Sequence, residues 1–134
     1  MTEFVEALKN AIIELVPGGD FERTQLYGKI ISKSHVNRLE KIVNEQMKVK
    51  GTTLICGGKS NDSQMFEPTI LTLTNADPET NPIMKSEIFG PVLAVIGVSS
   101  IQEAIHYVNN YQGCPLAYYP FSKDKAVIES VLEP

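Results

Sequence analysis

Residues 90–98, Gly-Pro-Val-Leu-Ala-Val-Ile-Gly-Val, constrain the fold of this chain more than any other stretch. Pro91 fixes its own φ and lacks an N–H, and Gly90 tolerates close approach of another group, so the pair forms a rigid turn. The apolar run Val92–Val98 shows no polar alternation, which predicts a central strand covered on both faces. Immediately before the turn stand Glu87 and, two residues on, Phe89. A nucleoside can use such a pair, the carboxylate accepting from vicinal hydroxyls and the ring packing on the base. Taken singly, Glu87 reads as a solvated acid, Phe89 as a core residue and Gly90-Pro91 as a turn. Their shared position on a loop that feeds a buried strand is what singles them out. Glu87 is therefore expected on a loop at the mouth of the sheet, with its carboxylate at least partly exposed.

The rest of the chain alternates helical and extended patterns. Residues 2–16 read as an amphipathic helix with Phe4, Leu8, Ile12 and Leu15 or Val16 on its apolar stripe. Pro17-Gly18-Gly19-Asp20 ends it, and a polar connection then leads to the short apolar piece Tyr27–Ile31. A second helix starts at Ser32 or Ser34 and runs to about Val49. His35 or Val36, Leu39, Ile42, Val43 and Met47 form its buried stripe, and Gly51 is the expected C-terminal cap. Thr52–Cys56 and Phe66–Leu73 read as strands around a polar loop tip at Lys59–Gln64, and Asn75–Pro82, with two X-Pro steps, as irregular chain. Ser99 or Ser100 caps a third helix, with Glu103 placed for a capping box, and Asn109-Asn110 closes it. Leu116–Phe121 reads as one more short strand and Lys123–Leu132 as a last helical piece. A strand, a helix and a further strand over residues 92–121 make a βαβ pattern, so the class is α/β with a mostly parallel sheet flanked by helices.

Composition narrows the function. The 134 residues are one domain's worth of chain, 43% hydrophobic and 21% charged. A net charge of −4 gives no electrostatic footprint for nucleic acid. No apolar run approaches the ~18 residues of a membrane span, and no signal peptide is evident. The two cysteines, Cys56 and Cys114, are too sparse for a disulfide scaffold, which makes a reducing, cytoplasmic setting the default. Two His and two Cys at scattered positions form no metal-ligand motif, and His35 and His106 read as helix-surface or core-edge residues.

Four ordered blocks carry a resemblance. Glu87-Ile88-Phe89-Gly90-Pro91-Val92 closely resembles the E-I-F-G-P-V signature of the aldehyde dehydrogenase superfamily. Tyr27-Gly28-Lys29-Ile30-Ile31-Ser32 resembles its Y-G-R-I-I-S block, and Phe66-Glu67-Pro68-Thr69-Ile70-Leu71 its I-x-P-T-I/V-L strand. Pro115-Leu116-Ala117-Tyr118-Tyr119-Pro120-Phe121-Ser122 resembles the P-L-A-L-Y-x-F-S stretch of the class 3, fatty-aldehyde branch. The resemblance implies a catalytic-domain fragment of an enzyme that oxidises aldehydes, medium- or long-chain fatty aldehydes among them, to carboxylic acids with NAD or NADP. It also implies a homodimeric full-length protein. In that family a cysteine thiolate attacks the carbonyl, hydride passes to the nicotinamide, and a glutamate-activated water releases the acid. The resemblance gives Glu87 the hydroxyls of the nicotinamide ribose and Phe89 the place of the ring beside the nicotinamide. It assigns no catalytic residue to this chain.

The departures matter as well. The family's nucleophile lies in a G-Q-x-C segment upstream of the first helix found here, and this sequence contains no such segment. Cys56 and Cys114 have no His, Lys or Arg in the adjacent sequence and read as inert thiols. The general base, the cofactor loop and the later P-F-G-G block are expected outside residues 1–134, which read as a single partial catalytic domain. Three functions are compatible with these residues: an enzyme whose missing half lies elsewhere, a non-enzymatic pseudoenzyme module that binds a partner subunit, or a small independent nucleotide-binding protein. On the fragment reading the isolated chain is expected to lack activity and to self-associate through uncovered apolar faces.

Overall fold

Helix α2 (Lys33–Gln46) forms where apolar residues recur at helical spacing behind a serine cap. The Ser32 hydroxyl accepts from the His35 N–H at 3.3 Å, which satisfies one of the free donors of the first turn. Val36, Leu39 and Val43 are buried on one face and pack with Phe66, Leu71, Leu73, Ile83 and Val92 into the main core. The structure, a computed structural model, describes residues 1–16, 21, 27–75, 77–111 and 116–132. The chain divides into two compact units, Met1–Gly97 and Val98–Pro134.

In the first unit, strands β1 (Thr53–Cys56), β2 (Thr69–Leu73) and β3 (Val92–Ile96) form a three-stranded sheet in the order β1-β2-β3. The α/β class stands, but the sheet is mixed: β1 runs antiparallel to β2, and β3 runs parallel to it. The short return from Cys56 to Thr69 permits the antiparallel pair. That return is pinned by the Ser60–Phe66 bridge and by the Asn61 side chain, whose Oδ1 accepts from the N–H groups of Ser63 and Met65 at 3.0 and 3.1 Å. Tyr27 donates its hydroxyl to the Phe66 carbonyl, and burial followed by the nearby Glu67 charge pushes its pKa up to about 12.

The central strand is β2, not the one expected. Thr69, Ile70, Leu71 and Leu73 are all at most 2% exposed, because strands lie on both sides of β2. Strand β3 is an edge among the described residues, ends at Ile96 rather than Val98, and leaves Leu93 47% exposed. Its continuous apolar pattern exceeds the cover that the first unit provides. Helix α1 (Thr2–Leu15) shows the same excess. Val5 and Val16 are buried, whereas Phe4 and Leu15, expected on the stripe, are exposed. Leu8, Ile12 and Val16 keep the expected stripe, with Val5 in place of Phe4, and the helix touches β1.

The second unit holds α3 (Ile101–Tyr111) and α4 (Lys125–Leu132). The Glu103 N–H donates to the Ser100 hydroxyl at 3.1 Å, while the Ser99 N–H and hydroxyl donate to the Glu103 carboxylate at 2.7 and 2.6 Å. The Ser100 hydroxyl thus makes the forward half of the expected capping box, while the Glu103 carboxylate returns to Ser99, and the Ser99 bonds hold the Glu103 carboxyl below its usual range. The strand expected at Leu116–Phe121 does not form, and with it the βαβ return is lost among the described residues. Leu116, Tyr119 and Phe121 are exposed, and among its described residues this unit offers no strand for their backbone to pair with. An open, largely apolar groove of about 420 Å³ runs between α3, the Tyr118–Ser122 segment and α4. The helix stop expected at Pro17–Asp20, the connection over 22–26, and Cys114 with Pro115 lie outside the described residues.

Helix α2 stops at Gln46, short of Val49, where the backbone tightens into i→i−3 bonds from the Lys48 and Val49 N–H groups, and the Gln46 side chain bonds across the core. Its Nε2 donates to Asn81 Oδ1 at 2.7 Å and to Thr52 Oγ1 at 2.8 Å, and its Oε1 accepts from the Ile83 N–H at 3.3 Å. Met47, expected on the buried stripe, is the exposed C-cap instead. Gly51 lies beyond the cap at φ +88°, where a Cβ would sit 2.3 Å from Thr74 Oγ1. Gln46 and Asn81 are 0% and 1% exposed, so replacing Gln46 with leucine would leave core donors and acceptors unpaired. Gln46→Leu should therefore lower stability by about 1–3 kcal/mol despite its greater hydrophobicity, read as an earlier midpoint in urea denaturation.

Candidate functional site

The segment 81–91 joins the core to the start of β3, and it is held at both ends. At its beginning the Asn81 Nδ2 donates to Asn75 Oδ1 at 2.8 Å and to the Asp77 carbonyl at 3.0 Å, while its Oδ1 accepts from Gln46. A single 3-10 turn, Pro82–Met84, then inserts Ile83 into the core at 1% exposure. At its end the Pro91 carbonyl accepts from the Thr69 N–H at 2.8 Å, and the Val92 N–H closes a tight turn on the Gly90 carbonyl at 2.8 Å. Between these anchors Lys85, Ser86 and Glu87 face solvent and Ile88 packs partly into the core.

Glu87 lies on the loop that leads into β3, exposed, as the sequence indicates. Its side chain is exposed, and its carboxylate makes no hydrogen bond or ion pair with any of the described residues. Phe89 is 77% exposed and holds φ at +47°, a left-handed conformation rare for a bulky side chain. Such a backbone costs on the order of 1–3 kcal/mol and persists only where its surroundings enforce it. Packing of the ring supplies no compensation here. The enforcement comes from the backbone: Arg38 Nη2 donates to the Ile88 carbonyl at 2.6 Å and to the Phe89 carbonyl at 3.2 Å.

Gly90 is the second constraint. A Cβ built there would lie 2.5 Å from Leu39 Cδ2 and 2.8 Å from Cδ1, and Leu39 is fully buried. Only a residue without a side chain lets the loop lie this close to α2. The arrangement offers a free carboxylate and an exposed aromatic face on a loop whose backbone is fixed from beneath. That pair of groups suits the sugar and base of a nucleotide: an anionic acceptor for paired hydroxyls, and a flat apolar surface for a ring.

The sequence marks Glu87, Phe89 and Gly90 but not what supports them. Arg38 and Gln46 carry no local signal, since a helix pattern sorts residues only into apolar and polar faces. Cys56 sits on β1 with Sγ 3.8 Å from the Pro68 carbonyl, and His35 and His106 are exposed on helices, the latter 3.2 Å from the Asn110 amide. Among the described residues no group of His, Cys, Asp and Glu is arranged to hold a metal ion. Substituting Gly90 tests the close approach. Gly90→Ala should destabilise the chain by about 1–3 kcal/mol, the usual cost of overpacking. In a Leu39→Ala background the same change should cost far less, a coupling that a double-mutant cycle in urea would read directly.

Known proteins share this architecture. The solved structure described as the substrate-bound state of Staphylococcus aureus AldH superposes with a TM-score of 0.85 at 30% identity, over 98% of this chain and 27% of that one. Betaine aldehyde dehydrogenase from the same organism, solved in complex with NAD+, matches with a TM-score of 0.74 at 30% identity, over 98% and 26%. The rat dimeric NADP-preferring aldehyde dehydrogenase is 34% identical over 97% of this chain and 26% of its own length, and rat aldehyde dehydrogenase family 3 member B1 is 36% identical over 96% and 25%. The chain thus spans about a quarter of the length of these relatives, and its likeness to them is to the class 3 branch. The sequence profile of the aldehyde dehydrogenase family matches residues 1–134 in full, and the chain belongs to that family.

Proposed function

We propose that residues 81–91 form the nicotinamide-ribose part of the cofactor site in an NAD(P)-dependent aldehyde dehydrogenase. One observation carries the reading: an exposed Phe89 at φ +47° stands two residues from an exposed Glu87 that has no partner among the described residues. When bound, the nicotinamide cofactor supplies the hydride acceptor for aldehyde oxidation. This chain's residues act on its binding and orientation. Glu87 accepts from the ribose hydroxyls, Phe89 gives the nicotinamide ring an apolar neighbour, and Gly90 lets the loop lie against α2.

Medium- or long-chain fatty aldehydes as substrates of the whole enzyme rest on the resemblance of residues 115–122 to the fatty-aldehyde branch. The relatives described as dimeric support a homodimer. A cytoplasmic setting rests on the sparse cysteines, and among the described residues no helix is long and apolar enough to cross a membrane.

Binding can be read on the 134-residue chain with nicotinamide mononucleotide as the probe, following amide and ring resonances of residues 85–92 by NMR. Charge-assisted hydrogen bonds are worth about 1.5–3 kcal/mol, so Glu87→Gln should weaken binding by about tenfold or more. An analogue lacking both ribose hydroxyls should bind the wild type and Glu87→Gln equally. Equal affinity of the two proteins for the mononucleotide itself would remove Glu87 from the site.

The sequence contains no G-Q-x-C nucleophile segment, and Cys56 lies on a sheet strand. Without a positioned thiolate the covalent step has no starting point. The chain by itself should therefore form no NADH from a medium-chain aldehyde and NAD. Turnover that disappears in Cys56→Ser or Cys114→Ser would assign a catalytic thiol to this segment.

A further inference from the structure

We infer that Arg38 is a positioning residue for nucleotide binding, holding the Phe89 backbone in its left-handed conformation so that Glu87 and the Phe89 ring are presented together. The inference rests on the reading of residues 81–91 as a nicotinamide-ribose site. Arg38 occupies the partly buried flank of α2, and its Nη2 reaches the carbonyls of two consecutive residues, Ile88 at 2.6 Å and Phe89 at 3.2 Å. In extended chain successive carbonyls point to opposite sides, so one nitrogen cannot serve both. They converge on one donor because the chain is reversed at Phe89, where φ is +47°. The two hydrogen bonds therefore select that conformation over an extended one.

The neighbouring residue of the same helix acts from the other side. Leu39, fully buried, lies against Gly90 where a Cβ would meet it at 2.5 Å. Two adjacent helix residues thus fix three consecutive loop residues, one through carbonyls and one through contact. No carboxylate among the described residues forms an ion pair with Arg38, so its charge is directed at the loop backbone. A rigid guanidinium suits this task better than an ammonium, whose single nitrogen ends a flexible stem. Release of Arg38 lets Phe89 relax to an extended φ, which swings the ring and the preceding Glu87 apart. The consequence is lost affinity for a ligand that must touch both, with little effect on the core.

The test compares Arg38→Ala, Arg38→Lys and Glu87→Gln with the wild-type 134-residue chain, using nicotinamide mononucleotide as probe and thermal unfolding as control. Arg38→Ala should bind about tenfold more weakly, equivalent to about 1.4 kcal/mol, with its unfolding midpoint nearly unchanged and the Phe89 and Gly90 amide resonances shifted before any ligand is added. Arg38→Lys should fall between, and low-millimolar guanidinium should restore binding to Arg38→Ala. If Glu87→Gln weakens binding and Arg38→Ala does not, the positioning role is wrong while the site stands. If Glu87→Gln has no effect, the site itself fails and the positioning role with it. Weakened binding that tracks a collapsed unfolding midpoint and resists guanidinium would reduce Arg38 to a structural residue, which also overturns the inference. Should Arg38→Ala not fold, Arg38→Lys decides: weakened binding in a folded protein supports the role, and wild-type binding overturns it.

Discussion

The grip of helix α2 on residues 81–91 is the constraint from which the geometry of the first unit follows. Gln46, at the end of the helix, holds Asn81 through its amide, and Arg38 and Leu39, two turns earlier, hold Ile88, Phe89 and Gly90. Between these anchors Ile83 and Ile88 pack into the same core as Val36, Leu39 and Val43. The loop is therefore an extension of the helix surface rather than a free connection. Its end delivers Val92 into register with Thr69, so the parallel pair β2–β3 begins where the loop is fixed. A parallel pair needs a long crossover, and here that crossover carries no α-helix, only a 3-10 turn and side-chain amide bonds.

How far the sequence disclosed this depends on whether a signal is local. The α/β class, the apolar stripe of α2 around Val36, Leu39 and Val43, and the placement of Glu87 on a loop before β3 all follow from spacing over a few residues. Gly90-Pro91 announces a turn because both residues restrict or release the backbone in ways visible in isolation. The strand order was not legible. Val92–Val98 looks central by composition, yet β2, interrupted by Thr69 and Thr72, occupies the centre, because order depends on which strands pair and not on how apolar each one is. The same reason accounts for Leu116–Phe121. Its residues suit a strand, but a strand exists only where another backbone completes its ladder.

Gln46 and Asn81 illustrate a different kind of illegibility. A polar residue at an apolar position of a helix pattern looks like an interruption, so the pattern passes the buried role to Met47. Only the meeting of residues far apart in the chain, Gln46 with Thr52, Asn81 and Ile83, makes burial of the amide favourable. Arg38 is hidden for the same reason: its partners are carbonyls some fifty residues away, and any residue type can supply a carbonyl.

Two polar groups on this one loop meet opposite fates. Asn81 is buried and every hydrogen-bonding atom of its amide has a partner within the chain, as burial in a core of low polarity demands. Glu87, a few residues later on the same rigid support, faces solvent without a partner among the described residues. If the loop were built only to connect two core elements, neither the strained backbone at Phe89 nor the exposure of its ring would serve any purpose. Both raise the free energy of the folded chain, and the contacts from Arg38 and Leu39 are what sustain them. A conformation held against its own preference, with its polar and aromatic groups turned outward, is a pre-organised surface: ordering that a ligand would otherwise have to impose is already present. The hydrogen bonds missing from the carboxylate and the packing missing from the ring are the contacts that the sugar and base of a bound nucleotide can provide.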